Sequence, residues 1–265
     1  MKKHLCAIGL LLLLAMGSHA QCPVREGLLS DGEEIRYELF FNWRFIWIKA
    51  GDACLTTRLT TYNDAPAYES TLLASTNTRA DLIFRLRDTI STVVTPGMVP
   101  LYFVKRCDEG KEMIYDRAWF DYEDGVATAR QTKGYGDGRG RETSHSDSRC
   151  IYDMVSLLLY SRSLDTESLS VGDRMQYPMV TGVKVEEQNL VYLGKQEVEA
   201  LSGESYRCQV FSLVQKRKNK EGKLEDKEII RFYTTDDDRH LPIQLDLILK
   251  FGVAKAKLAS VKEGK

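Results

Sequence analysis

From Glu34 the chain alternates between apolar and polar positions. Ile35, Tyr37, Leu39, Phe41 and Trp43 fall on one face, with Arg36, Glu38 and Asn42 on the other. A period of two is the pattern of a half-buried strand. In the next run Ile48 and Ala50 share one phase while Ala53, Leu55, Thr57 and Leu59 share the opposite one, so the pattern slips by one residue across Gly51-Asp52. A β-bulge absorbs such a slip and sharpens the local bend, which predicts a curved sheet. Alternation resumes from Tyr68 to Thr76 and from Phe84 to Val94, closed by a turn at Pro96-Gly97, and two more runs flank a turn at Asp108-Glu109-Gly110-Lys111. Further strands are expected at 174–180, 188–193, 206–214, 227–233 and 242–261. In the last of these Ile243, Leu245, Leu247, Leu249 and Phe251 keep one phase and Ala254, Ala256 and Leu258 the other, so Gly252 is read as a second bulge. Two glycine-marked slips near the two ends suit a sheet that curls toward closure.

One stretch breaks the period. In Cys150 to Leu164 the residues Ile151, Met154, Val155 and Leu158 follow helical spacing, Leu157 and Leu159 widen the apolar face, and Arg162 stands one turn further on. A helix apolar over most of its circumference is expected to be buried, and burial contributes about 1.5–3 kcal/mol per large aliphatic side chain. The sequence therefore predicts an all-β fold, a curved antiparallel sheet or half-open β-barrel around one central helix at about Cys150–Leu164, with Asp147 or Ser148 as its cap. The glycine-rich run Gly134 to Arg141, leading on to Ser148, is read as a mobile loop. Its glycines do not match a phosphate-binding spacing.

The chain opens with Lys2 and Lys3, an apolar run from Leu5 to Met16, and Ser18-His19-Ala20, the layout of a secretory signal peptide over residues 1–20. Residues 21–33 are read as a linker and 34–262 as a single β-rich domain. No later stretch is long and uncharged enough for a transmembrane helix. The formal charge of −1 becomes more negative once Lys2 and Lys3 leave with the leader, which excludes nucleic acid as a partner. The expected location is the periplasm. Cys22 raises the alternative of an outer-membrane lipoprotein, disfavoured because Gln21 fills the place usually held by a small residue. Without Cys6 the mature chain keeps Cys22, Cys54, Cys107, Cys150 and Cys208, an odd number whose disulfide connectivity the spacing does not assign.

Three segments, GEEIRYELFFNWRFIWIKAGDACL, YDMVSLLLYSRSL with SVGDRM, and FYTTDDDRHLPIQLDLILKFGVAKAKLASV, resemble in order the domain-of-unknown-function family numbered 3108. The most specific pieces are the aromatics ahead of Ala50-Gly51, Asp153 to Arg162, and Asp238 to Pro242. The resemblance implies an exported, mainly β protein of Gram-negative envelopes and brings no catalytic residue with it.

Beyond the leader only His145 and His240 remain to support histidine chemistry. His145 lies among serines close in sequence, unlike a triad, whose members converge from separate elements. Asp236-Asp237-Asp238 crowd carboxylates without a calcium-loop register, so a polar turn accounts for them. No cofactor or metal is expected. The leading function is a non-enzymatic periplasmic module that binds a lipid or other apolar ligand, or an envelope protein partner, with Trp43, Trp47, Met154 and Leu158 as ligand-binding candidates. The alternatives are an envelope hydrolase using His145 or His240, and a structural scaffold without ligand.

Overall fold

The computed structural model describes Cys22 and residues 26–265, apart from 44–45, 83, 109–112, 220 and 250–251. The expected signal peptide lies outside the described residues. Fourteen strands are described: β1 (Glu33–Trp43), β2 (Ile46–Tyr62), β3 (Ala65–Thr76), β4 (Arg87–Val94), β5 (Pro100–Asp108), β6 (Met113–Glu123), β7 (Val126–Tyr135), β8 (Gly140–Asp147), β9 (Arg174–Thr181), β10 (Lys184–Glu199), β11 (Ser205–Lys218), β12 (Leu224–Thr235), β13 (Pro242–Leu249) and β14 (Gly252–Lys262). Two helices interrupt them, α1 (Thr78–Asp81) and α2 (Met154–Ser161).

Sheet order is β8-β7-β6-β5-β4-β3-β2-β1-β14-β13-β12-β11-β10-β9, antiparallel throughout. Each strand pairs with its neighbour in sequence except where β1 meets β14. Chain ends therefore sit in the middle of the sheet, and the middle of the chain, β8 and β9, forms its two edges. The segment that joins those edges has to cross from one to the other, and it carries α2. The expected antiparallel half-barrel around a helix is thus the observed architecture.

The edges approach without a β ladder between them. Thr143 Oγ1 donates to the Val183 carbonyl at 2.8 Å, His145 Nε2 lies 3.1 Å from the same oxygen, and Gln131 Nε2 donates to the carbonyls of Gly182 and Lys184, both at 2.9 Å. Side chains of β7 and β8 thus hold the β9–β10 turn and bring the barrel close to closure.

Both phase slips have physical causes, but different ones. Leu39 pairs with Gly51 and Phe40 with Lys49, so the register shift leaves Ala50 as the extra residue of a bulge beside the expected position. A Cβ on Gly51 would stand 2.0 Å from the Ser75 carbonyl oxygen, which is why glycine is needed there. Gly252 is instead the first residue after a hairpin, since Leu249 pairs with it and β13 and β14 are separate strands. Paired residues share a face, so a two-residue connection inverts the phase just as a bulge does.

Two further expectations are corrected. Gly140 to Asp147 is β8 rather than a mobile loop, paired with β7 from Ala127↔Asp147 to Gly134↔Gly140. An edge strand exposed on most of its length has no apolar face to betray it. α2 is shorter than Cys150–Leu164, and its cap is Asp153 rather than Asp147 or Ser148. The Asp153 carboxylate accepts from Val155 N and Ser156 N while Ser156 Oγ accepts from Asp153 N, a reciprocal capping box. Before it, Tyr152 is extended and bridges Met179 of β9 in parallel.

The helix is buried on two sides. Val155 and Leu159, with Ile151 ahead of them, join a cluster containing Ile35, Tyr37, Ile90 and Phe120. Leu157 and Tyr160, with Tyr152 ahead, join a second cluster with Met179, Leu190, Phe211 and Phe232. Met154 and Leu158, expected on the buried face, are half-buried instead. A disulfide joins Cys22 to Cys150 across a separation of 128 residues, and both cysteines are buried.

Replacing fully buried Leu159 with Ala should cost about 2–5 kcal/mol in urea denaturation, and Leu158→Ala clearly less. Equal costs would contradict the two-sided packing. Breaking the disulfide by Cys22→Ser with Cys150→Ser should cost about 2–5 kcal/mol, because the closed loop is long. An unchanged melting temperature would show that the crosslink contributes nothing.

Candidate functional site

Antiparallel order divides the turns between two rims. One carries the β1–β2, β3–β4, β5–β6, β7–β8, β9–β10, β11–β12 and β13–β14 connections, and the other carries the α2 segment with the remaining turns and the described ends of the chain.

At the α2 rim a buried ion pair fastens the helix to the sheet. Arg162 Nη1 donates to Glu33 Oε1 at 2.8 Å and Nη2 to Glu33 Oε2 at 3.2 Å, while Nη2 also reaches the Arg239 carbonyl at 3.2 Å. His240 closes the arrangement by donating from Nδ1 to the Arg162 carbonyl, which fixes its tautomer. On the other side of the helix start, Thr92 Oγ1 donates to Asp153 Oδ2 at 2.7 Å. Complete burial pushes the Asp153 carboxyl up, and the hydrogen bonds from Ser156, Thr92 and Val155 oppose the shift.

The two histidines considered for hydrolysis therefore each spend a ring nitrogen on a backbone carbonyl, of Val183 for His145 and of Arg162 for His240. They come from different parts of the barrel and are not brought together by these bonds. The aspartates before His240 are occupied as a turn: Asp236 pairs with Lys195 at 2.9 Å and Arg207 at 3.2 Å, and Asp237 Oδ1 accepts from Thr235 Oγ1 at 2.6 Å and from the amides of Arg239 and His240. Among the described residues no group of three or more His, Cys, Asp or Glu is placed to hold a metal ion.

A charged cluster does lie on the inward face of β4 to β7. Register places Asp88 opposite Cys107, and Lys105, Asp116 and Lys133 side by side across β5, β6 and β7. Burial pushes the Cys107 thiol up to about 12 against the opposing pull of Lys105, and burial likewise raises Cys208 to about 12. A thiol this weakly acidic is protonated at neutral pH and is a poor nucleophile.

The opposite rim carries a run of consecutive exposed apolar residues. β2 is seventeen residues long and meets β3 only from Gly51 onward, so its first residues project with β1 beyond the body of the barrel. Three consecutive large side chains there are exposed: Ile46 at 66%, Trp47 at 43% and Ile48 at 50%. On a strand consecutive side chains point to opposite faces, so both faces of this tip present exposed apolar surface. Trp43 ends β1 opposite Ile46; its side chain lies outside the described residues.

Trp47 lines a groove of about 280 Å³ with Phe40, Leu201, Lys255 and Lys257. Phe40 and the lysines come from the outer face of β1 and β14, where Phe40 pairs with Lys255 and Glu38 with Lys257. Leu201 arrives from the β10–β11 turn, whose amide bonds the Leu258 carbonyl at 3.4 Å. Lys255 Nζ stands 4.9 Å above the Trp47 ring. A second groove, of about 420 Å³, runs over the glycine floor of Gly134 and Gly140 between Tyr115, Arg117 and Glu142.

Of the four ligand-binding candidates, Trp47 is thus in a groove, while Met154 and Leu158 pack beside the second core cluster and do not line that groove. Sequence reasoning missed Lys255, Lys257 and Leu201, because nothing in a strand pattern says which turn folds back over which face. It noted Arg162 on the apolar helix but not its partner, although an arginine in an apolar helix does call for a buried acid.

The family described as a protein of unknown function, DUF3108, matches residues 36–259. A β-barrel-like protein of another domain of unknown function, DUF1849, from Brucella abortus is similar in structure, with a TM-score of 0.56, 10% identity, and coverage of 89% of this chain and 99% of that one. A chain described as "a putative lipoprotein from Parabacteroides distasonis" aligns with a TM-score of 0.35 and 9% identity over 91% of this chain and 99% of that one, too distant to carry an argument. No curated protein matches significantly.

Glu33→Gln should leave the buried Arg162 charge poorly compensated and cost about 3–5 kcal/mol in chemical denaturation, whereas Glu33→Leu with Arg162→Met should cost less than the two single changes combined. Additive costs would contradict a coupled pair.

Proposed function

For a chain that belongs to the DUF3108 family, we propose an exported module of the cell envelope that binds an apolar ligand or an envelope partner and catalyses no reaction. The observation that carries this reading is the projecting tip of β1 and β2. Ile46, Trp47 and Ile48 stand in water on both faces beside an apolar groove, and a surface of this kind is explained by something that covers it. In this reading Trp43 and Trp47 mark the contact end, and Met154 and Leu158 belong to the packed helix behind it.

Export is supported by the leader pattern and by the Cys22–Cys150 disulfide, which suits an oxidising compartment such as the periplasm. The same bond bears on the lipoprotein alternative. A sulfur held in a disulfide is not available for the thioether of a lipid anchor, so the two fates of Cys22 exclude each other. Intact mass of the exported protein should correspond to a chain beginning at Gln21 with one disulfide; a diacylated Cys22, or retention of the leader, would overturn this part of the proposal.

Binding itself is tested on protein purified gently from the periplasm. Native mass spectrometry should show a bound apolar molecule or a copurified partner, reduced in Trp47→Ala. A single bare species, together with no thermal shift across a panel of envelope lipids, would leave a scaffold as the better account.

A further inference from the structure

The chemistry of the groove beside Trp47 narrows what can occupy it. Its walls are apolar, Phe40, Trp47 and Leu201, and its charged lining groups among the described residues are two lysines, Lys255 and Lys257. Resting on the reading of an apolar-ligand module, we infer that this groove takes a single-chain anionic amphiphile, a fatty-acyl carboxylate, with its chain against Phe40, Trp47 and Leu201 and its head group on Lys257 and Lys255.

Charge is the first argument. The carboxylates that the ladders place opposite these lysines already have partners. Glu38, opposite Lys257 in the ladder, and Asp52 are both held by Lys49, at 2.8 and 3.2 Å. Lys255 Nζ pairs at 3.8 Å with buried Asp246, which also accepts from Tyr233 Oη at 3.1 Å and Gln244 Nε2 at 2.8 Å, so Lys257 is the lysine left for a ligand. Lys257 makes no ion pair among the described residues. A lysine half-buried beside an apolar wall, whose cross-strand acid is held by another lysine, favours an anion that brings an apolar tail with it.

Size is the second. About 280 Å³ falls just below the range of about 300–1,000 Å³ common for small-molecule sites, which suits one chain rather than a two-chain lipid. Position is the third: Lys255 rests over the Trp47 ring, so one side chain touches both the aromatic wall and the charged end. A ligand head group would take up that ammonium without moving it far from the ring.

The test uses the mature protein with its disulfide intact and three twelve-carbon probes below their micellar concentrations: laurate, dodecyl maltoside and dodecyltrimethylammonium. Binding is followed by tryptophan fluorescence and native mass spectrometry. Laurate should bind at least about tenfold more tightly than the other two. Lys257→Glu should lose about tenfold for laurate alone at an unchanged melting temperature, and Trp47→Ala should weaken all three. Should Lys257→Glu melt early, Lys257→Gln is read in its place.

Equal binding of the three probes, or an unaltered laurate affinity in the lysine variant, would overturn the anionic head group while leaving an apolar-ligand module standing. Binding of none would overturn the inference and the apolar-ligand half of the proposed function, leaving an envelope partner as the occupant. Attachment to vesicles containing phosphatidylglycerol without binding of soluble laurate would replace the inference with a membrane surface as the occupant.

Discussion

The pairing of β1 with β14 is the constraint on which the rest of this structure depends. It places the two ends of the domain side by side at the centre of the sheet and sends the middle of the chain to both edges. A meander of fourteen strands with that one non-sequential contact can curl, but it cannot close covalently except through the segment between β8 and β9. That segment is therefore forced across the barrel. It is apolar because it has nowhere to go but inside, and burial of α2 between two clusters supplies the core that a curled sheet alone would lack. The Cys22–Cys150 disulfide and the Thr92–Asp153 bond then hold the crossing segment at its start, to the stretch ahead of β1 and to β4, and the Glu33–Arg162 pair holds it to β1 just after the helix.

Much of this fold was legible in the sequence. Alternation located most strands because one face is buried and the other is wet, and the loss of alternation located the helix. Legibility stopped where that contrast stops. β8 is polar on both faces and reads as a loop; Gly252 inverts the phase, and a hairpin inverts it as a bulge does. Helical spacing overstates the extent of α2 because Cys150 to Tyr152, although apolar and buried, precede the helix, and four residues at that spacing do not require helical backbone.

The candidate site was less legible than the fold. Trp47 stood out as an aromatic in a dense cluster, and its exposure follows from the length of β2 relative to β3. Its companions come from β1, β14 and the β10–β11 turn, brought together by sheet curl rather than by sequence proximity. The expected meeting of Trp47 with Met154 and Leu158 in one lining is not what the groove contains, because the helix is packed on both sides and the lining comes from strands and the β10–β11 turn. Spacing says little about chemistry at the histidines, whereas folding places both rings against backbone carbonyls and buries thiols in their protonated form.

The contacts that hold α2 and the candidate groove lie mostly apart: the ion pair and cap sit on the α2 rim, while the groove runs over the outer face of β1 and β14, with Leu201 from the β10–β11 turn at its edge. The claim beneath that division is that α2 is part of the global core rather than a segment lying in a ligand cavity. Amide hydrogen exchange resolved by residue tests it most directly. The amides of 157–161 should exchange only through global unfolding, with protection equal to that of the central strands, while those of 46–48 exchange far faster. Exchange of the α2 amides at rates well above those of the strands, with the sheet still protected, would show that the helix opens on its own and would contradict the account.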